Sequence, residues 1–431
     1  MTPIRLFPIA AGLIFSLLSS SLLAGDRLTV VPDRESGVYQ SGESVTWKIE
    51  LQSDAPAAEA TVTCELRRGG LPSGESTTLA LKEGKAEYKA TRESPGSLLL
   101  VVRYRSQEDA NEITAYGGAV FEPESIKPSL PPPDDFDEFW KAKLEELAAV
   151  PMNLEIKQVD IGDPKIEYFQ FTLDNVCGKK IHGQLAKPAG KTNLPAMLRV
   201  QWAGVYPLER AWVVSYAAHG WLAVNIQAHD LPIDAPREFY QEQARGPLED
   251  YPGIGNDDRE TSYFLPMFLS CRRAVDFITQ HSDWNQKALV VHGGSQGGYQ
   301  AIVTAGLAPA VTAIAANVPA GCDHTGKLAG RAPGWPNWAS RTWKGRDEKK
   351  MLETARYFDA MNFARRVECP AIIGVGLIDT ACPVEGVLAT CNAIKGDKKV
   401  ILMPLADHNG DHKAYQEAFF PFLQKQRERE E

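Results

Sequence analysis

A serine flanked by glycines, Gly293-Gly294-Ser295-Gln296-Gly297, follows an apolar run that starts at Ala288 and precedes small and apolar residues. This is G-x-S-x-G in strand-turn-helix context, where a sharp turn presents the serine hydroxyl as a nucleophile. In such a turn the backbone passes close to itself, so Gly293 and Gly297 can carry no side chain there. A hydroxyl is a weak nucleophile and needs a base to take its proton. The base in turn needs a group to orient it, in the chain order Ser, Asp, His on this kind of sheet.

The acid is expected at Asp379, where the apolar run CPAIIGVGLID ends, because reacting groups collect at the carboxyl ends of the strands; Asp359 and Asp397 are the alternatives. Three histidines follow Ser295, namely His324, His408 and His412. His408 lies just past the apolar run VILMPL and after Asp379, which makes it the expected base; His412 is its rival, and His324 precedes the acid. In these roles His408 takes the Ser295 proton and returns one to the leaving alcohol, while Asp379 fixes the tautomer and stabilises the imidazolium. The developing oxyanion needs two fixed donors. They are expected to be the backbone N–H of Gln296 and that of Val205, in the loop Trp202-Ala203-Gly204-Val205-Tyr206.

Such a site needs a sheet beneath it. Strands are expected at Ile166 to Phe171, Ala196 to Trp202, Trp221 to Ile226, Ala288 to His292, Val311 to Ala316, Ala371 to Leu377 and Val400 to Pro404. Helical stretches such as Phe268 to Gln280 and Gln300 to Leu307 fall between several of them, so the fold class is α/β, a mainly parallel sheet covered on both faces. Residues 134–431 are read as this catalytic domain. It opens with a helix placing Phe136, Phe139, Trp140, Leu144 and Leu147 on one face, with Asp134 and Asp135 at its positive end.

Residues 25–121 show period-two runs such as Val45, Trp47, Ile49 and Leu51 between Gly, Ser, Asp and Pro clusters, which predicts a small all-β, immunoglobulin-like sandwich. It holds no catalytic constellation, and is read either as a packing or oligomerisation unit or as a carbohydrate-binding module. Residues 122–133, EPESIKPSLPPP, carry five prolines and are expected to form an extended connector. Residues 1–24 have the layout of a secretory signal peptide: Arg5, an apolar run from Leu6 to Leu18, and small residues up to Ala24. The run is shorter than the ~20 residues of a spanning helix, so cleavage and export to the periplasm or the extracellular space are expected, with no stable membrane insertion.

The 431 residues are 44% hydrophobic and 23% charged, in the range of a packed soluble protein. A net charge of -9 without a basic cluster excludes a nucleic-acid binder. Seven scattered cysteines contain no CxxC and no Cys/His cluster at ligand spacing, so neither a metal nor another cofactor is expected. Trp335, Trp338 and Trp343, in a Gly/Pro-containing stretch, either face a sugar or pack as a lid.

At these residues the chain resembles the acetyl xylan esterases and cephalosporin C deacetylases of carbohydrate esterase family 7, of the α/β-hydrolase superfamily. The resemblance rests on Asp135-Phe136-Asp137-Glu138-Phe139-Trp140, Gly293-Gly294-Ser295-Gln296-Gly297-Gly298, Arg273-Ala274-Val275-Asp276 and Asp379-Thr380-Ala381-Cys382-Pro383. It implies a serine esterase that removes acetyl groups from xylan, xylo-oligosaccharides or related acetylated carbohydrates, or that takes another small ester. Two positions depart from the family pattern: Gln227-Ala228-His229 stands where the family has Arg-Gly-Gln, and His408-Asn409 where it has His-Glu. Loop packing, the acyl pocket and the family's oligomer are therefore not carried over, although some oligomer is compatible with the sequence. The rival readings are a serine peptidase of the prolyl oligopeptidase type or another acyl hydrolase, and a binding protein on a dead hydrolase scaffold. The β region is too short for the propeller of the first, and the second would require loss of Ser295, Asp379 or His408.

Overall fold

Alternation of apolar and polar residues drives the N-terminal part into strands, as in Ser44–Gln52, where Val45, Trp47, Ile49 and Leu51 are buried. The computed structural model describes residues 26–53, 60–105, 112–338 and 346–428. Among the described residues, eight strands precede the connector: β1 (Arg27–Pro32), β2 (Val38–Tyr39), β3 (Ser44–Gln52), β4 (Thr61–Arg68), β5 (Thr77–Ala80), β6 (Lys85–Thr91), β7 (Gly96–Arg105) and β8 (Glu112–Phe121). They form a sheet of order β1-β3-β6 and another of order β2-β8-β7-β4-β5. Trp47 and Ile49 of the first share one core with Val62, Leu100 and Val102 of the second. Two facing sheets over one core make this a sandwich.

The proline-rich stretch departs from a free extended spacer. Pro123–Ser125 makes a short 3-10 turn, and Asn392 Nδ2 donates to the carbonyls of Pro123 and Ile126 at 2.9 Å each. Ser129 donates to the buried carboxylate of Asp323. Prolines give up N–H donors but keep their carbonyls, so the stretch is laid onto its neighbour through carbonyls that accept, with Ser129 as a donor.

Beyond it come α1 (Phe136–Ala149), β9 (Glu155–Gln158), β10 (Ile166–Asp174), β11 (Lys180–Pro188), β12 (Leu194–Arg199), α2 (Ala211–Ala217), β13 (Leu222–Ile226), α3 (Arg237–Arg245) and α4 (Phe264–Gln280). There follow β14 (Trp284–Gly294), α5 (Gln296–Leu307), β15 (Ala313–Asn317), α6 (Glu348–Phe358), α7 (Ala360–Ala364), β16 (Ala371–Gly376), α8 (Val384–Ala393), β17 (Lys398–Met403) and α9 (Lys413–Arg427). One nine-stranded sheet results, in the order β17-β16-β15-β14-β12-β13-β11-β10-β9. It is parallel from β17 to β13 and antiparallel from β13 to β9.

Successive residues of the central strands go to opposite faces. Met197, Ala223, Val290 and Ile372 pack with Val213 of α2 and Phe419 of α9. Their neighbours Leu198, Val224, Val291 and Ile373 pack with Phe268 of α4, Ile302 of α5 and Leu388 of α8. Burial on both faces is why these strands read as unbroken apolar runs. Sequence patterning missed β11 and β9: β11 carries Gly183, Gln184 and two lysines, and all four residues of β9 are exposed. Pairing with β10 over nine positions stabilises β11 in spite of its composition.

Candidate active site

Ser295 is the single residue between the end of β14 and the start of α5, and its backbone is held at φ 55°, ψ −123°. A non-glycine residue there costs roughly 1–3 kcal/mol and persists only when its surroundings over-determine it. They do so here. The Ser295 N–H donates to Asn317 O at 2.9 Å, and its carbonyl accepts from Tyr299 N and Ala320 N at 3.0 Å each. A Cβ on Gly293 would lie 2.7 Å from the Gly297 backbone, and one on Gly297 would lie 2.6 Å from Val200 O.

The strand ends supply the rest. Asp379 sits three residues past β16 and His408 five past β17, in loops that meet over Ser295. His408 Nε2 is 2.9 Å from Ser295 Oγ, and its Nδ1 is 2.8 Å from Asp379 Oδ2. The other carboxylate oxygen, Oδ1, accepts the N–H groups of Ala381 and Cys382, both at 2.8 Å. The Asp379 side chain is fully buried, whereas that of His408 keeps 21% of its surface exposed, which leaves the imidazole open to a reactant. Burial disfavours the imidazolium, but the hydrogen bond and charge of Asp379, helped by Asp407, more than offset it and raise the His408 pKa above 6.5. The Cys382 thiol lies within 4.8 Å of the His408 and Asp379 ligand atoms, completing a cluster of metal-capable donors among the described residues.

The rival residues are engaged elsewhere. Asp359 is buried and accepts three backbone N–H groups, from Asp323, His324 and Met361. Asp397 is exposed. His324 is buried against Trp338 and Tyr299, and burial pushes its pKa down to about 3. His412 accepts at Nδ1 from Asn317 Nδ2 at 2.8 Å, so its Nε2 must be the protonated nitrogen, donating to Asp407 O at 2.9 Å. That bond holds the backbone next to His408.

Gln296 begins α5, and the first N–H groups of a helix have no carbonyl partner within it. Its side chain accepts a 2.5 Å hydrogen bond from the buried Tyr251 hydroxyl. The loop with Val205 is secured by all three residues of the departing motif. Gln227 Nε2 donates to Tyr206 O, Ala228 N donates to Gln201 Oε1, and His229 Nε2 donates to Gly204 O, at 2.9, 2.6 and 3.0 Å. A carbonyl only accepts, so Nε2 carries the proton and Nδ1 accepts from Tyr263 OH at 2.8 Å. Burial lowers the His229 pKa to about 4, which keeps this tautomer neutral near pH 7. Gly204 C=O and Val205 N–H belong to one trans peptide, so fixing the carbonyl on His229 turns the Val205 N–H the opposite way.

The family described as acetyl xylan esterase matches residues 122–426. The chain belongs to that family. In this acetyl xylan esterase family member, similarity also reaches a curated relative, the acetyl esterase Axe7A of Xylanibacter ruminicola. The two are 30% identical over 383 residues, covering 88% of this chain and 86% of the relative, an alignment too long to lie within residues 122–426 alone. The acetyl xylan esterase from Paenibacillus sp. R4 superposes with a TM-score of 0.62 at 24% identity, covering 70% of this chain and 98% of its own. Acetyl xylan esterase 1 from Thermoanaerobacterium sp. JW/SL YS485 gives 0.60 at 21% identity, covering 71% and 98%. These structures establish the α/β-hydrolase fold, here preceded by a mainly antiparallel β region.

Of the tryptophan-rich stretch, Trp338 is buried against Phe264 and Phe358, and Trp335 is half-buried beside Tyr251 and Phe264. Packing is therefore what Trp338 does. Trp343 and residues 1–24, where a signal peptide is expected, lie outside the described residues. Sequence reasoning gave no role to Tyr251 and saw His229 only as a departure. A histidine where the family has glutamine was the available signal, since both can donate an N–H to a carbonyl.

Proposed function

We propose that this family member is an exported serine carboxylic-ester hydrolase. It removes acetyl groups from xylan, xylo-oligosaccharides or related acetylated carbohydrates through an acyl-enzyme on Ser295. The carrying observation is the continuous run from Ser295 Oγ through His408 to Asp379, at 2.9 and 2.8 Å. Family membership and the acetyl esterase name of the Xylanibacter relative support the acetyl group as the one transferred.

His408 removes the Ser295 proton as Oγ attacks the acetyl carbon, and Asp379 stabilises the imidazolium. The oxyanion is received by the N–H groups of Gln296 and Val205, and each such donor is worth roughly 2.7 to 4 kcal/mol in the transition state. His408 then protonates the departing sugar hydroxyl, the C–O bond breaks, and a water activated by the same imidazole releases acetate from Ser295. Side chains and backbone N–H groups carry every step.

The test is acetate release from acetylated xylo-oligosaccharides by the purified protein, beside Ser295→Ala. Release by the parent alone is the expected result, and equal release by both would refute the serine mechanism. Export rests on the layout of residues 1–24 and predicts that the mature protein recovered from outside the cytoplasm begins near Gly25. An intact Met1 on that protein would refute cleavage.

A further inference from the structure

We propose that the β1–β8 region positions the acid of the site, by holding both ends of the loop that carries Asp379. The inference rests on the Ser295–His408–Asp379 reading above. That loop runs from the end of β16 at Gly376 to the start of α8 at Val384. At its first end, Leu377 is buried, and its carbonyl lies so close to Gly118 of β8 that a Cβ on Gly118 would overlap it. At its second end, Glu385 in the first turn of α8 is buried against β7. Its Oε1 accepts the Ser97 backbone N–H at 2.5 Å and the Ser97 hydroxyl at 3.1 Å. Arg92 Nη2 and Arg331 Nη1 stand 3.6 and 3.9 Å from the same carboxylate.

A third tie runs through the middle. Ala381 O accepts the Trp335 N–H at 2.8 Å, and within the same segment Ala332 N donates to Gly69 O of the sandwich at 2.7 Å. A carboxylate is costly to bury unless it is hydrogen-bonded and faced by positive charge, and for Glu385 the hydrogen bonds come from β7. Gly118 matters for a different reason: it leaves room for the Leu377 carbonyl where any side chain would push the strand end away.

The mechanical consequence follows from how Asp379 is held. Oδ1 is bound to Ala381 and Cys382 within the loop, so Oδ2 moves wherever the loop moves. A displacement of about 1 Å can cost on the order of 10²-fold in rate. The titratable groups facing the His408 ring are Asp379, Asp407 and the Cys382 thiol. Of these, only Asp379 accepts a hydrogen bond from Nδ1, so moving it removes the chief support of the imidazolium.

The experiment uses the full mature protein with Gly118→Ala, Gly118→Val, Glu385→Ala and Glu385→Gln, assayed for acetate release across pH beside the parent and Ser295→Ala. In Gly118→Val and Glu385→Ala, kcat should fall about 10- to 100-fold while KM stays within about threefold. The acid limb of kcat/KM should move to lower pH in both. Glu385→Gln keeps an acceptor for Ser97 and should retain most of the activity, and Gly118→Ala supplies a smaller wedge should the valine not fold. Folded variants with lowered melting temperatures but unchanged kcat and acid limb would overturn the proposal. A fall in kcat with the limb unmoved would overturn it equally, since Asp379 would then still support His408. Full activity in Ser295→Ala would instead refute the serine reading beneath it.

Discussion

Two loops serve the site proposed at Ser295, the one after β12 that carries Val205 and the one after β16 that carries Asp379, yet they are secured by different means. The first is held from within its own domain, by side chains of the segment that follows β13: Gln227 and His229 donate to its carbonyls, and Gln201 answers the Ala228 N–H. The second is held from outside, by a carbonyl lodged against Gly118 and a carboxylate on the Ser97 N–H. A side-chain relay is sensitive to which atoms are present, since each hydrogen bond contributes roughly 0.5–1.5 kcal/mol and an abandoned buried partner costs more. A contact with main chain is sensitive to shape. The two loops should therefore fail under different substitutions.

The largest expected effect is common to both loops. Ser295→Ala should lower kcat by about five to six orders of magnitude with the fold intact, read by acetate release and a melting curve. Asp379→Asn comes next and isolates the second loop. It keeps the shape but not the charge, and about 10⁴-fold should be lost in kcat. The same change sharpens the pH behaviour. Asp379 raises the His408 pKa, so in the parent kcat/KM should rise with pH through a midpoint above 6.5 as the imidazole becomes a free base. In Asp379→Asn that midpoint should fall, and an unmoved midpoint would show that another group sets it.

His229→Ala isolates the first loop. Freed of its donor, Gly204 C=O can rotate and take the Val205 N–H with it, and kcat should drop about 10²-fold, the scale of one lost oxyanion donor. His229→Gln restores an N–H and should recover most of that loss; equal damage in both variants would break the relay argument. The smallest effect belongs to His412→Ala, which loosens the backbone beside His408 without touching a reacting atom. A loss of less than about tenfold is expected, far below that of His408→Ala.

The same contrast explains what could be read from the chain beforehand. The Ser295 turn is local: strand, glycines, serine and helix are consecutive, and Gly293 and Gly297 announce the close approach they allow. The central strands were legible because both faces are apolar, while β11 depends on its partner β10 rather than on its own residues. Asp379 and His408 could be chosen because each follows an apolar strand in the right chain order. Glu385 could not, because Ser97 stands 288 positions away and nothing near either residue signals the other. Nor does periodicity show that His229 holds a peptide plane, since that is a matter of tautomer and direction.

On the sandwich side, the grip on the Asp379 loop is made largely by main chain, through the Ser97 N–H, the Gly69 carbonyl and the bare Cα of Gly118, with the Ser97 hydroxyl and Arg92 beside the Glu385 carboxylate. Glycine is required at 118 and also at 69, where φ is 58° and an added Cβ would lie 2.8 Å from Arg331 Cβ, while position 97 must keep an N–H and so excludes proline. Beyond these positions, selection acting through this contact sees the path of the chain rather than its letters. The rest of the β1–β8 region could therefore change in sequence without loosening the hold on the site that we propose for it.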